Sequence, residues 1–192
     1  MVIGPPGSGK STLSRQLAQV TGLPLVHPDR RYWKPGWVAP LRSEWIRMQR
    51  EMVDEPAWII DGNYGSTMDV RLGAADDVIF LDFPRHTYLW WIVKRMLRSF
   101  LFWEQRSDLA PGCPERPDGI FIGFFGWVWR FHRDVRPGTL GHLEDSPPGA
   151  RLLWLRHPRE ITPLLSGIPF RREPGADRAG KEGSSQEKGD AS

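Results

Sequence analysis

The sequence predicts an α/β fold whose parallel sheet is covered by helices on both faces. Apolar runs that end in a carboxylate occupy residues 57–61 and 78–82, and a further apolar run occupies residues 152–155. Continuous apolar runs are typical of strands buried on both faces, and segments with helical apolar spacing separate these runs. A glycine-rich loop at residues 4–11 follows the first apolar residues and precedes the first helix, which is the order expected of a strand–loop–helix unit.

This loop matches a phosphate-binding pattern at every fixed position. Residues 4–11 read GPPGSGKS and fit GxxxxGK[ST], the P-loop. Its glycines let successive backbone N–H groups point at one anion, and the following helix adds its positive N-terminal end. Lys10 can reach the β- and γ-phosphates, and the Ser11 hydroxyl can bind Mg²⁺. We therefore predict a nucleoside-triphosphate site formed by Gly4, Pro5, Pro6, Gly7, Ser8, Gly9, Lys10, Ser11 and Thr12.

Composition excludes several classes of protein. The 192 residues suggest one domain, and the single cysteine, Cys113, leaves no internal disulfide and fits a reducing compartment. We expect no secretory signal, because the N-terminus lacks a charged segment followed by an apolar one. We also expect no membrane span, because the longest apolar stretch covers only residues 120–128. The net charge of +3 suits a protein that binds polyphosphates, but no long basic run indicates a DNA partner. We expect a cytoplasmic monomer.

The remaining elements are predicted from spacing and turn signals. The first strand has only three residues before the loop, so we expect the natural protein to begin upstream of Met1. The other predicted elements are a strand at 24–26, a helix after the N-cap Ser43, a short helix at 66–73, long helices at 86–103 and 120–136, loops at 108–119 and 137–150, and a short helix at 157–166.

Two carboxylates compete for the role of metal ligand. Asp61 and Asp82 each end an apolar strand, where parallel sheets bind ligands. Gly62 lets the chain approach the phosphates closely, which favours Asp61 as the metal ligand. The alternative for Asp82, which stands before Pro84, is a turn or cap residue. Asp29 follows the second strand and is a candidate for holding a metal-bound water or accepting a proton, or else for capping a turn.

The motifs together resemble the DNA topology-modulation proteins, a family of adenylate-kinase-like P-loop kinases. The shared pieces, which span about Ile3 to Arg159, are the P-loop, His27-Pro28-Asp29, Trp33-x-Pro35-Gly36-Trp37, Trp58-Ile59-Ile60-Asp61-Gly62-Asn63-Tyr64, Leu81-Asp82-Phe83-Pro84-Arg85, Arg106-x-Asp108 and Gly112-Cys113-Pro114-Glu115. The resemblance implies a five-stranded parallel sheet in order 2-3-1-4-5 within a domain of residues 1–170. It also implies an acceptor-side insertion at about 30–56 and a lid at about 104–119.

The resemblance implies an ATP- and Mg²⁺-dependent kinase. Its catalytic residues would be Lys10, Asp29, Arg85 and Arg106, with the metal held by Ser11 and Asp61. Arg85 follows the end of a strand and Arg106 opens the lid motif, and arginine binds phosphate bidentately. The acceptor would be a nucleotide, a nucleoside or another small hydroxyl compound. The rival hypothesis is a non-catalytic regulator that binds ATP, either alone or together with DNA.

Two further features leave alternatives open. Trp33, Trp37 and Tyr64 are candidates either to stack on an acceptor ring or to pack the insertion. Cys113 in the lid is either a reactive thiol beside arginines or a packed side chain.

The tail from Arg171 to Ser192 is predicted to be disordered, because it is polar, rich in glycine and balanced in charge. Deleting it should leave both the melting temperature and the ATP affinity unchanged. A thermal unfolding scan checks this, and a fall in melting temperature of more than about 4 °C, which corresponds to roughly 1–2 kcal/mol, would show that the tail packs on the domain.

Overall fold

The computed structural model describes residues 1–102, 110–113, 119–145 and 149–167, and it shows an α/β architecture. The strands are β1 (Val2–Ile3), β2 (Leu25–Val26), β3 (Ile59–Ile60), β4 (Asp77–Leu81) and β5 (Arg151–Leu155). The α-helices are α1 (Lys10–Thr21), α2 (Asp29–Tyr32), α3 (Arg42–Val53), α4 (Met68–Leu72), α5 (Arg85–Phe102), α6 (Gly119–Asp134), α7 (Arg136–Glu144) and α8 (Ile161–Ser166). Single turns of 3₁₀ helix cover Gly65–Thr67 and Pro158–Glu160.

All strand pairs are parallel, but the sheet is divided. One sheet has three strands in the order β1-β4-β5, and a second sheet pairs β2 with β3. The two adjoin through a single parallel bridge between Val2 and Asp61, where the Gly62 N–H donates to the Val2 carbonyl at 3.0 Å. The structure therefore has a three-stranded and a two-stranded parallel sheet in place of the expected single five-stranded sheet. Because β1, β2 and β3 have two residues each and Gly62 turns the backbone away at φ +117°, there is room for only one bridge.

Apolar side chains from both faces of the sheet are buried. Along β4, Ile79 and Leu81 join a cluster with Leu13 and Leu17 of α1, on the face that α8 also covers. The alternate residues Val78 and Phe80 join a second cluster on the opposite face, with Met68 and Leu72 of α4. Successive side chains of a strand point to opposite faces, so a strand with a core on each side must be apolar throughout. This explains the continuous apolar runs in the sequence.

The insertion after β2 packs around aromatic rings. Tyr32 contacts Trp33, Trp45 and Tyr64 with ring centroids 4.8–4.9 Å apart, and Trp33 contacts Trp37 at 5.4 Å. These edge-on and tilted arrangements are typical of aromatic packing. The structure therefore shows Trp33, Trp37 and Tyr64 packed against other rings, and Tyr64, which follows β3, joins the ring cluster from outside the insertion.

A short segment of the expected lid also lies against the insertion. The Gly36 N–H donates to the Gly112 carbonyl at 3.0 Å, and the buried Cys113 thiol donates to the Lys34 carbonyl at 3.2 Å. Cys113 is thus a packed side chain. Residues 104–109, which include Arg106, residues 114–118 of the expected lid and the tail from Arg171 lie outside the described residues.

One expected loop is a helix. Residues 137–150 were expected to form a loop because of their proline and glycines, but α7 covers Arg136–Glu144. Pro137 lies in the first turn of α7, where proline is tolerated because the N–H it lacks has no partner inside the helix. Within the described part of the chain, no helix is both long enough and apolar enough to cross a membrane.

Candidate active site

The phosphate loop is closely packed against β4 and α5. Gly4 and Gly7 have φ angles of +149° and +78°, which favour glycine. A Cβ at Gly4 would lie 2.5 Å from the Leu81 carbonyl oxygen, and a Cβ at Gly7 would lie 2.4 Å from Ile92 Cγ1. Since real Cβ atoms do not approach other atoms so closely, both positions require glycine for space as well as for conformation.

Lys10 folds back over this loop. Its Nζ donates hydrogen bonds to the carbonyl oxygens of Gly4 and Pro5, both at 3.0 Å. Lys10 and the half-buried Ser11 are the first two residues of α1, which begins after Gly9 in a left-handed conformation. The structure thus places the predicted lysine and hydroxyl at a helix N-terminus, the end that attracts anions.

Asp61 is buried and has one unused oxygen. It follows β3, is 5% exposed, and its Oδ1 lies 2.9 Å from Nδ1 of His27, which follows β2. Its Oδ2 is buried and has no hydrogen-bond partner in the described part of the chain. An unpaired buried carboxylate oxygen is costly unless a ligand or water satisfies it. Mg²⁺ bound with a nucleotide usually takes one or two carboxylates, and the oxygen donors of Asp61 and Ser11 are of the kind that this metal prefers.

Asp82 is occupied by other side chains. Arg136 at the start of α7 donates Nε to Oδ1 at 2.8 Å and Nη2 to Oδ2 at 2.6 Å, and Trp154 Nε1 donates to Oδ2 at 3.0 Å. Burial alone would raise the pKa of Asp82, but the hydrogen bonds from Arg136 and Trp154 outweigh it and hold the pKa below its usual value. This carboxylate, at the end of β4, therefore forms a bidentate ion pair with Arg136 of α7 and accepts a further hydrogen bond from Trp154 of β5.

The turn after β3 connects the loop to the insertion. Asn63 Oδ1 accepts a hydrogen bond from the Gly4 N–H at 2.8 Å, and the Tyr64 hydroxyl donates to Asp29 Oδ1. Burial, and then the negative charge of Asp29, raises the pKa of Tyr64, so the phenol keeps its proton. Asp29 begins α2, directly beyond the end of β2, and is thereby tied to the same turn as the phosphate loop.

Sequence reasoning did not assign roles to His27 or Asn63. Both residues belong to motifs of the family resemblance, His27 to 27–29 and Asn63 to 58–64. The one signal in the sequence was their position directly after strands whose carboxyl ends meet at one edge.

Arg85 lies beside an aromatic groove. It begins α5, and its guanidinium carbon lies 5.1 Å from the ring centroid of Trp129 on α6. The open groove there has a volume of about 850 Å³, and Trp91 also lines it. A Cβ on Gly9 would lie 3.4 Å from the Trp91 ring, so one wall of the groove adjoins the phosphate loop.

The chain is similar in outline to solved kinase structures. A sugar kinase from Janibacter sp. HTCC2649, solved without ligand, is 19% identical with a TM-score of 0.47, over 86% of this chain and 90% of that one. A proposed kinase from Chloroflexus aurantiacus is 17% identical with a TM-score of 0.47, over 86% and 94%. A deoxyadenosine kinase from M. mycoides with bound dCTP is 16% identical with a TM-score of 0.39, over 86% and 97%.

No protein-family model matches the chain, and no curated protein matches it by sequence. The identities to the solved structures are below 25% and the TM-scores are below 0.5. The function proposed below therefore depends on the geometry of the chain itself.

Replacing Arg136 with Gln should lower the free energy of unfolding by about 1–3 kcal/mol at pH 7, because a charge-assisted pair is lost while the side chain of Asp82 is only 6% exposed. Since the pKa of folded Asp82 lies below its unfolded value of about 3.9, the pair stabilises the fold above that pH and loses its effect as the pH falls through the folded pKa. Urea unfolding between pH 7 and pH 3 should show the deficit of the variant shrinking below about pH 4.

The exposed pair of Arg151 and Asp77, 2.7 Å apart, provides the matched control. Arg151→Gln should change stability by less than about 1 kcal/mol. A deficit in Arg136→Gln that is the same at pH 7 and at pH 3 would contradict the assigned pair.

Proposed function

We propose that this chain is an ATP-dependent phosphotransferase of the adenylate-kinase-like class. It would transfer the γ-phosphoryl group of ATP to a nucleotide, a nucleoside or a small hydroxyl compound. The observation that carries the proposal is the buried, unpaired Oδ2 of Asp61 at a strand end that adjoins the phosphate loop through the bridge to Val2. A loop that only bound an anion would not need a buried carboxylate beside it, whereas a metal–nucleotide complex does.

The donor half of the site supplies positive charge and position. Backbone N–H groups of the loop and the N-terminus of α1 would hold the phosphates, and Lys10 would exchange the Gly4 and Pro5 carbonyls for phosphate oxygens. Ser11 and Asp61 would hold Mg²⁺, which when bound neutralises charge on the phosphate oxygens. Trp91, whose ring lies at Gly9 and lines the aromatic groove, offers a surface on which the base of the nucleotide could stack.

The acceptor half is built around Asp29. Its carboxylate accepts a hydrogen bond from the Tyr64 hydroxyl and would accept the proton of an attacking hydroxyl group. Arg85 and Arg106 are the proposed cations around the moving phosphoryl group, a role that suits the fixed charge and bidentate geometry of arginine. The two sheets adjoin through the bridge between Val2 and Asp61, which gives the strand order β2-β3-β1-β4-β5. This order would bring the donor half and the acceptor half of the site to the same edge.

The test of this function is a phosphoryl-transfer screen with ATP-Mg²⁺ across nucleotides, nucleosides and small metabolites. Transfer to at least one acceptor supports the kinase. If the protein binds ATP-Mg²⁺ yet transfers phosphate to nothing in a broad panel, the kinase proposal fails. Duplex DNA binding that weakens steeply with salt would then favour the regulator.

Asp61→Asn should reduce metal-dependent turnover and Mn²⁺ affinity in the presence of ATP more than Asp82→Asn does. Both changes keep the shape of the side chain and remove its charge, but of the two carboxylates only Asp61 has an oxygen without a hydrogen-bond partner among the described residues. Asp82→Asn should mainly reduce stability, because it disrupts the pair with Arg136. Mn²⁺ titration followed by electron paramagnetic resonance, together with urea unfolding, separates the two effects. Weaker Mn²⁺ binding in Asp82→Asn would reverse the assignment.

Lys10→Ala should keep the fold and weaken ATP binding about tenfold or more, since a charge-assisted contact to phosphate contributes roughly 1.5–3 kcal/mol. Turnover should fall further if the contact strengthens in the transition state. Arg106→Ala should lower turnover with little change in ATP affinity, because Arg106 belongs to the expected lid and would act after ATP is bound. Calorimetric ATP titration and steady-state assays compare the two; equal losses of affinity would argue against separate roles.

A further inference from the structure

A fully buried arginine lies beneath the turn that follows β3. Arg71 on α4 is 0% exposed, and its Nη1 donates to the Gly62 carbonyl at 2.5 Å. Its Nη2 donates to the Asn63 carbonyl and reaches the Tyr64 carbonyl at 3.5 Å. Burial lowers the pKa of Arg71 to about 10, so the guanidinium remains charged at neutral pH. A buried charge is costly, and here three consecutive backbone carbonyls solvate it.

The backbone of this turn adopts a conformation that requires support. Gly62 has φ +117° and Tyr64 has φ +41°. A positive φ is unfavourable for a residue other than glycine, such as Tyr64. This path brings the carbonyls of residues 62, 63 and 64 to one cation. The guanidinium has the planar, multi-donor geometry for such a task, which lysine lacks.

The side chains of the same turn contact both halves of the candidate site. The Asn63 amide oxygen accepts the Gly4 N–H at the start of the phosphate loop. The Tyr64 hydroxyl donates to Asp29 on the acceptor side. Asp61, which precedes the turn, attracts the charge of Arg71 and lies against His27. One buried cation therefore sits behind all three contacts.

We infer that Arg71 is a positioning residue that sets the turn at residues 62–64 and thereby fixes the phosphate loop and Asp29 relative to each other. It touches neither substrate nor the reacting atoms, and it acts through Asn63 on the donor side and through Tyr64 on the acceptor side. Its role in phosphoryl transfer rests on the proposed function, but the coupling of the turn to Gly4 is a property of the fold itself.

The first test needs no nucleotide. Amide hydrogen exchange, followed by NMR, should show that the Gly4 amide exchanges about fivefold faster or more in Asn63→Ala and in Arg71→Lys than in the wild type. The Ile79 amide, which donates to the Met1 carbonyl at 2.8 Å within the sheet, should keep its rate. Arg151→Lys, the same substitution at an exposed arginine, should change neither amide.

The outcomes of this test are distinct. An unchanged Gly4 rate in folded Arg71→Lys overturns the inference, and so does equal acceleration at Gly4 and Ile79, which would show a purely structural role. If Arg71→Lys does not fold, Arg71→Gln replaces it, because it keeps amide donors for the carbonyls without the buried charge. The same acceleration at Gly4 alone is then expected.

The second test measures ATP-Mg²⁺ affinity as a double-mutant cycle between Arg71→Lys and Asn63→Ala. Each variant should weaken binding about threefold to tenfold, and the double variant should be no weaker than the worse single variant, because both act through one link. Additive losses overturn the coupling. Tyr64→Phe, which breaks only the contact to Asp29, should keep wild-type ATP affinity. A wild type that binds no ATP-Mg²⁺ would refute the proposed function, while the exchange result would still decide the inference.

Discussion

The backbone of the phosphate loop lies in direct contact with β4 and α5, at positions where no side chain would fit. Gly4 meets the Leu81 carbonyl, and Gly7 meets Ile92. Since β1 pairs with β4 in a fixed parallel register, the start of the loop is set by the sheet and its middle by the helix that follows β4. These contacts fix the position of the loop relative to the strand ends. The residues of the candidate site can act together only because that position is fixed.

The two strand-end carboxylates show how packing separates residues with similar sequence contexts. Both follow short apolar strands that flank β1, so the sequence favoured Asp61 only through the glycine after it. In the structure, Arg136 and Trp154 occupy the Asp82 carboxylate from elements more than 50 residues away in sequence. Asp61 instead contacts His27, which follows the adjacent strand β2, and its other oxygen has no hydrogen-bond partner in the part of the chain that the structure describes. Such long-range partners decide the role of each carboxylate, and local sequence does not carry them.

Much of the local structure could be predicted, because local rules govern it. The glycine pattern of the loop, the helix after Lys10 and the apolar runs of β4 and β5 all follow from spacing and conformation. The helix at Arg136–Glu144 is not predicted from the sequence, because its proline and glycines are typical loop signals, whereas in the structure the proline stands in the first turn. Arg71 was missed for another reason: a buried arginine cannot be distinguished by sequence from one on a solvated helix face. Its partners are carbonyl groups, which every residue has.

A crystal structure with a non-hydrolysable ATP analogue and Mg²⁺ tests the central claim most directly. The account predicts that Lys10 Nζ leaves the Gly4 and Pro5 carbonyls for the β- and γ-phosphates, and that the metal lies between the Ser11 hydroxyl and Asp61, bound directly or through water. It also predicts that Asp82 stays paired with Arg136. Phosphates bound away from the loop, or a metal held by Asp82 with Arg136 displaced, would contradict it.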